Sequence, residues 1–321
     1  MQQQVRVEVK CNEGRDIIDE SATAKKLTPD DAKLIWCEGP AYSHRTNSLY
    51  FSDVRTSTMY VWICESDKCK VFRKPSHNSN GNCIDKEGRL ITCEHRARRI
   101  TRTTLTSAAN TEESVAQFYD GKPFNSPNDV IVKSDGSIWF TDPDYGCSVS
   151  EGHSSPQQQE GCYVYRLSPD GTEISVVSKD VMRPNGLCFS PDESKLYVVD
   201  TGAVAYPKCD EVCDPVVDWN NPHNIQMYDV KNEKELENGK VLIDSFDKSV
   251  PDGIRCDVKG NLYAGTWEGV QVFSPDGRQL CVIRTPKTAA NCCFGGMENK
   301  TLFITATDTV WAIQCKLAGA V

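Results

Sequence analysis

NDVIVKSDGSIWFTD, residues 128–142, carries the pattern that decides the fold. It opens on an amide, Asn128, runs into the apolar stretch VIV, turns through KSDG, and resumes as IWF before Asp142. Two short β-branched or aromatic runs around a Gly/Asp turn read as a pair of antiparallel strands. The template recurs upstream as EGPAYSHRTNSLYFSD from Glu38 and NGNCIDKEGRLITCEH from Asn80. Downstream it returns as NGLCFSPDESKLYVVD from Asn185, DGIRCDVKGNLYAGTW from Asp252 and NCCFGGMENKTLFITAT from Asn291. Successive starts lie 42, 48, 57, 67 and 39 residues apart, close to one four-stranded blade each, with insertions in the middle copies.

A third strand follows in most copies: MYVWI, RRITRT, CYVYRL, NIQMYDV, GVQVF and TVWAI. No stretch continues an amphipathic helical face; TPDDAK near Thr28 opens at most a helical turn. The expected architecture is therefore all-β: one six-bladed β-propeller domain over residues 1–321, with four-stranded blades that bury their faces only against their neighbours. A β-sandwich would not account for six equivalent starts. The last copy supplies three strands, so an N-terminal segment, VRVEVK at 5–10 or the AKKL stretch at 24–27, is expected to add the fourth and close the ring.

The net charge of −9 argues against nucleic acid as a partner, which needs a basic face to neutralise phosphates. No apolar run is long enough to span a bilayer, and MQQQVRVEVK lacks the apolar core of a secretory signal. A soluble, cytoplasmic protein, monomeric or weakly homo-oligomeric, is expected. Sixteen cysteines fit that setting as reduced thiols, several of them acting as small hydrophobes inside strands (Cys83, Cys93, Cys188, Cys256, Cys281, Cys292, Cys293). Cys64/Cys69 and Cys209/Cys213 are the two pairs spaced closely enough to be exceptions. Neither has a second pair or nearby histidines in a zinc pattern.

Aligning the copies puts Glu38, Asn80, Asn128, Asn185, Asp252 and Asn291 at one equivalent position. The first strand of a propeller blade lines the central channel, so six acid or amide side chains should converge on the axis. Such residues are depleted in strands. Two carboxylates and several amide oxygens suit a hard cation, calcium first, with zinc, magnesium or manganese as alternatives. The competing reading is that Asn and Asp merely bond backbone groups where strands begin.

EGPAYS, NSPNDVIVKSDGSIWFTDPDYG, RPNGLCFSPDESKLYVVDTG, PDGIRCDVKGNLYAGTWEGVQVFSPDG and CCFGG…LFIT together resemble the gluconolactonase family. That family also includes senescence marker protein (regucalcin), luciferin-regenerating enzyme and a lactonase-like drug-response protein. The resemblance spans roughly residues 34 to 313 and is strongest to gluconolactonase-type members. It implies a six-bladed propeller with a divalent cation held by a Glu, an Asn and an Asp. By motif these are Glu38 of EGP, Asn185 of PNG and Asp252 of DG. Asn128 of PND is a ligand in some relatives and a substrate contact in others. Ser126 stands where regucalcin-like members have arginine, so their substrate preference does not carry over.

The implied activity is hydrolysis of a small-molecule lactone, an aldonolactone such as gluconolactone. A bound cation would polarise the carbonyl and keep Asp252 ionised, and Asp252 would position or activate water. Asn80, His95 in CEHR and Tyr145 in DPDYG are further substrate-binding candidates, with Trp267 in GTW as a wall and His223 as a weaker one. Ser43, Ser148 and Ser168 lie in no nucleophile elbow, which speaks against a serine hydrolase. Other readings of the same scaffold are an organophosphate or other ester hydrolase and a non-catalytic calcium-binding propeller. The insertions at 144–162 and 203–223 read as flexible polar loops over one face, the usual carriers of specificity.

Overall fold

The computed structural model describes residues 4–106, 110–152, 155–207, 211–244, 246 and 248–320. Each repeated copy folds as the inner pair of a four-stranded antiparallel sheet, and six such sheets stand around a channel. Blade 1 comprises Cys37–Ser43, Ser48–Asp53, Thr58–Ile63 and Lys68–Arg73. Blade 2 runs Ser79–Ile84, Leu90–Glu94, Arg99–Thr104 and Thr111–Ala116. Blade 3 is Val130–Val132, Ile138–Asp142, Tyr163–Leu167 and Ile174–Ser178. Blade 4 is Pro184–Phe189, Lys195–Asp200, Asn224–Lys231 and Glu235–Ile243. Blade 5 is Ile254–Cys256, Leu262–Thr266, Gly269–Phe273 and Gln279–Arg284. Blade 6 takes Ala289–Gly295, Thr301–Ala306 and Thr309–Gln314 from the C-terminal part of the chain.

The ring closes from the N-terminal side, but with less chain than expected. Lys25–Lys26, from the AKKL stretch, pairs antiparallel with the Thr309–Gln314 strand as the outer strand of blade 6. VRVEVK does not close the ring. Its Arg6–Val9 segment pairs with Gln279–Arg284 as a fifth strand of blade 5. Its alternation explains that place: Val5, Val7 and Val9 turn onto the core between blades 5 and 6, while Glu8 reaches Arg284 at 2.7 Å. The TPDDAK stretch forms a turn, closed by the Ala32 N–H bond to the Pro29 carbonyl, and no helix.

Apolar side chains fill the six blade interfaces one cluster at a time. Leu49, Phe51 and Trp62 of blade 1 meet Cys293, Phe303 and Val310 of blade 6, with Leu27 and Leu34 packed in beside them. Phe140 and Tyr165 of blade 3 meet Ile91, Cys93 and Ile100 of blade 2. Cys188 and Cys256 sit in the cluster between blades 4 and 5, and Cys281 and Cys292 in the one between blades 5 and 6. Thiols here act as small packing groups at close blade contacts. Cys64 and Cys69 are free thiols; Cys209 lies outside the described residues. Among the described residues no helix is long and apolar enough to cross a membrane.

Second strands of three blades end in Asp53, Asp142 and Asp200, and these acids are structural. Asp53 accepts from the N–H groups of Ile35 and Trp36, Asp142 from Asn125 and Ser126, and Asp200 from Met182 and Arg183. Each carboxylate thus anchors the segment that leads into the inner strand of its own blade.

Candidate active site

Main-chain bonds between neighbouring blades fix the height of the six equivalent residues. The Gly81 N–H donates to the Asn128 carbonyl at 2.7 Å, Gly186 to Asp252 at 3.1 Å, and Gly253 to Ala290 at 2.7 Å. Ser52 and Thr141 hydroxyls reach across to the Asn80 and Asn185 carbonyls, each at 2.8 Å. The glycine after the ring residue is what permits this approach. A Cβ on Gly186 would lie 2.4 Å from the Asp252 carbonyl oxygen, and one on Gly253 would lie 2.0 Å from Cγ of Asn291.

All six ring residues are buried, each close to the start of the inner strand of its blade. The Asn291 amide lies beside Glu38 and the Asn185 amide beside Asp252, each favouring the charged form of its acid. Both carboxyls titrate well above the usual range. The first cause is burial; the Asp252 charge adds to it at Glu38, and the charges of Asp129 and Glu151 add to it at Asp252. Among the described residues no lysine or arginine pairs with either acid. Two buried carboxylates that act on each other without a counter-charge are costly, and a cation is the ligand that relieves them. Two carboxylates and neighbouring amides are oxygen donors of the kind a hard cation takes, although no group of three His, Cys, Asp or Glu side chains that could hold a metal ion is present among the described residues.

Asn80 and Asn128 stand on the other side of the ring around His95, whose Nε2 lies 3.1 Å and 3.5 Å from their amide nitrogens. His95 is fully buried behind these amides, not open to the mouth. Burial holds its imidazole down at about 4, so it is neutral at ordinary pH. Tyr145 is also buried, its hydroxyl donating to the Thr201 carbonyl at 3.1 Å. Trp267 is part-exposed at the rim, edge-on to Trp219 at 5.6 Å, and Trp219 in turn contacts His223 at 5.4 Å.

The insertion of blade 3 is not an open loop where it is described. Its Glu151 crosses the mouth to bond Arg55 of blade 1 at 2.8 Å, and the Tyr206 hydroxyl of the blade 4 insertion joins that pair. Ser150 bonds the Cys213 carbonyl at 2.9 Å, tying the two insertions together. A buried ion pair over the channel is what holds them down.

Sequence reasoning missed Asp129 and Arg255. Asp129 follows the ring residue of blade 3, where blades 1, 2, 4 and 5 have glycine, and it pairs with the Arg255 guanidinium at 3.1 Å inside the channel. The Asp129 carboxylate keeps that guanidinium charged despite burial. The broken glycine pattern was the available signal. Beyond the pair, a cavity of about 650 Å³ opens at the opposite end, lined by Arg255, Ile131, Phe189, Cys188 and Cys293. Its wall mixes these apolar and thiol groups with the acids Asp85, Glu87 and Glu193; the candidate site is placed at the ring, where acids and amides stand at equivalent positions of all six blades.

Residues 36–211 and 220–308 match the model of the SMP-30/gluconolactonase/LRE-like region. The chain belongs to this family. The SMP-30/gluconolactonase match takes in all six ring residues. The gluconolactonase of Zymomonas mobilis is 31% identical over 327 residues, covering 94% of this chain and 84% of that protein. A solved gluconolactonase from Xanthomonas campestris superposes with a TM-score of 0.83 at 31% identity, over 98% of this chain and 95% of the other. A calcium-binding protein, regucalcin, from Agrobacterium tumefaciens shares the fold at a TM-score of 0.70 and 17% identity, over 92% and 95% of the two chains.

Proposed function

We propose that this SMP-30/gluconolactonase-like protein is a metal-dependent lactonase that opens sugar lactones such as gluconolactone. The observation that carries the reading is the pair of buried, uncompensated carboxylates, Glu38 and Asp252, among amides at one channel mouth. Glu38, Asn185, Asp252 and Asn128 would hold one divalent cation, calcium first, with zinc, magnesium or manganese as alternatives. When bound, the cation supplies a Lewis acid for the lactone carbonyl oxygen.

The rest of the chemistry falls to the chain. Asp252 orients a water molecule and takes its proton as the water oxygen adds to the carbonyl carbon. The same carboxyl returns the proton to the ring oxygen as the carbon–oxygen bond breaks, giving a hydroxy acid. Asn80 bonds the substrate's hydroxyl groups, and Asn128 is either the fourth ligand or a second such contact. Tyr145 closes the wall beside Asp252, whose charge it feels, and Trp267 stands at the entrance. The pinned insertions restrict water to the mouth. The named gluconolactonase relatives support lactones over other esters.

A screen against lactones and organophosphates, with and without EDTA, tests this reading. Chelator-sensitive hydrolysis of aldonolactones is expected. Preference for organophosphates would make the protein a phosphotriesterase, and calcium binding without hydrolysis of either class would make it a non-catalytic propeller.

A further inference from the structure

We propose that His95 is a positioning residue that fixes which atom Asn80 and Asn128 present to the channel. The inference rests on the reading that these two amides serve the cation or the lactone. An amide nitrogen only donates, so His95 Nε2, 3.1 Å and 3.5 Å from the two nitrogens, accepts from both. The ring proton then sits on Nδ1, which donates to the Glu151 carbonyl at 3.0 Å. With both amide nitrogens drawn back to the imidazole, each carboxamide has its oxygen left for the channel. A flipped amide would turn a donor toward a cation, which repels it.

The imidazole is itself held from three blades. It follows the second strand of blade 2, and the blade 3 insertion closes on it so tightly that a Cβ on Gly146 would lie 2.6 Å from its Cβ. Glu151, whose carbonyl sets the tautomer, is pinned to Arg55 of blade 1. Arg55 and Glu151 thus also bear on the orientation of the imidazole. Partners of this kind set the orientation of groups around a metal, and their loss typically weakens binding about 10–100-fold.

His95→Leu removes the acceptor, whereas His95→Gln places an oxygen near the position of Nε2. Calorimetric titration of metal-stripped protein with calcium should show His95→Leu binding about 10–100-fold more weakly than wild type, with His95→Gln close to wild type. By NMR, the side-chain NH2 protons of Asn80 and Asn128 should be protected from exchange in wild type and His95→Gln and exposed in His95→Leu. The wild-type imidazole should show the Nδ1–H tautomer. Unchanged calcium affinity or unchanged amide protection in His95→Leu, or an Nε2–H tautomer in wild type, overturns the proposal. Wild type that shows the tautomer and the protection but binds no cation supports the role of His95 and sinks the metal reading instead.

Discussion

At the scale of single residues, position along the inner strand decides what an acid does. Among the described residues Asp252 has no lysine or arginine partner; in the proposed mechanism it is the base, and replacing it with asparagine keeps the shape while removing that group. Asp252→Asn should lower kcat at least about 100-fold, the order expected for a lost general base, with an unchanged circular dichroism spectrum; an unchanged kcat would remove Asp252 from the mechanism. Asp142 ends a second strand and serves the backbone. Burial pushes its carboxyl up to about 7 from 3.8, so the folded chain holds the proton more tightly than the unfolded one. Its stabilising effect is complete below the unfolded value and is withdrawn as pH rises through about 7. In urea titrations the stability of wild type minus that of Asp142→Asn should therefore fall by on the order of 4 kcal/mol between about pH 4 and pH 7. A flat difference would contradict the assigned environment.

At the scale of elements, the repeated strand pair was plain in sequence because its signal is local: alternating apolar runs, a Gly/Asp turn, a polar start. Closure was only half legible. Two residues, Lys25–Lys26, form the closing strand, too few for any periodicity. The longer VRVEVK run was the other candidate, and its valines pack instead into the apolar cluster between blades 5 and 6. The ring of six was legible because equivalent positions repeat. The Arg55–Glu151 clasp was not, since it joins residues 96 apart in sequence through an insertion that lies outside the repeated template. If closure depends on packing around the short strand, Leu27, buried between blades 6 and 1, should matter more than its position suggests. Leu27→Ala should cost about 2–5 kcal/mol by urea unfolding. A loss below about 0.5 kcal/mol, typical of surface changes, would show that the joint lies elsewhere.

At the scale of the molecule, the Asp129–Arg255 pair stands between the ring of acids and amides and the cavity lined in part by thiols. Arg255 also bonds the Leu187 and Ile254 carbonyls at 3.3 Å and 2.7 Å, joining blades 4 and 5 to blade 3. Removing the cation alone leaves a buried charge, so Arg255→Met should cost about 3–5 kcal/mol. Combining it with Asp129→Asn should recover most of that loss; additive losses in the double variant would mean the pair is not coupled.

The whole account turns on a cation at the other mouth, between Glu38 and Asp252. The most direct measurement is gluconolactone hydrolysis by metal-stripped protein re-supplied with calcium, magnesium, manganese or zinc, one at a time. Activity should vanish on stripping and return with at least one of these ions, calcium first. Full hydrolysis by the stripped protein, or no hydrolysis with any of them, would contradict it.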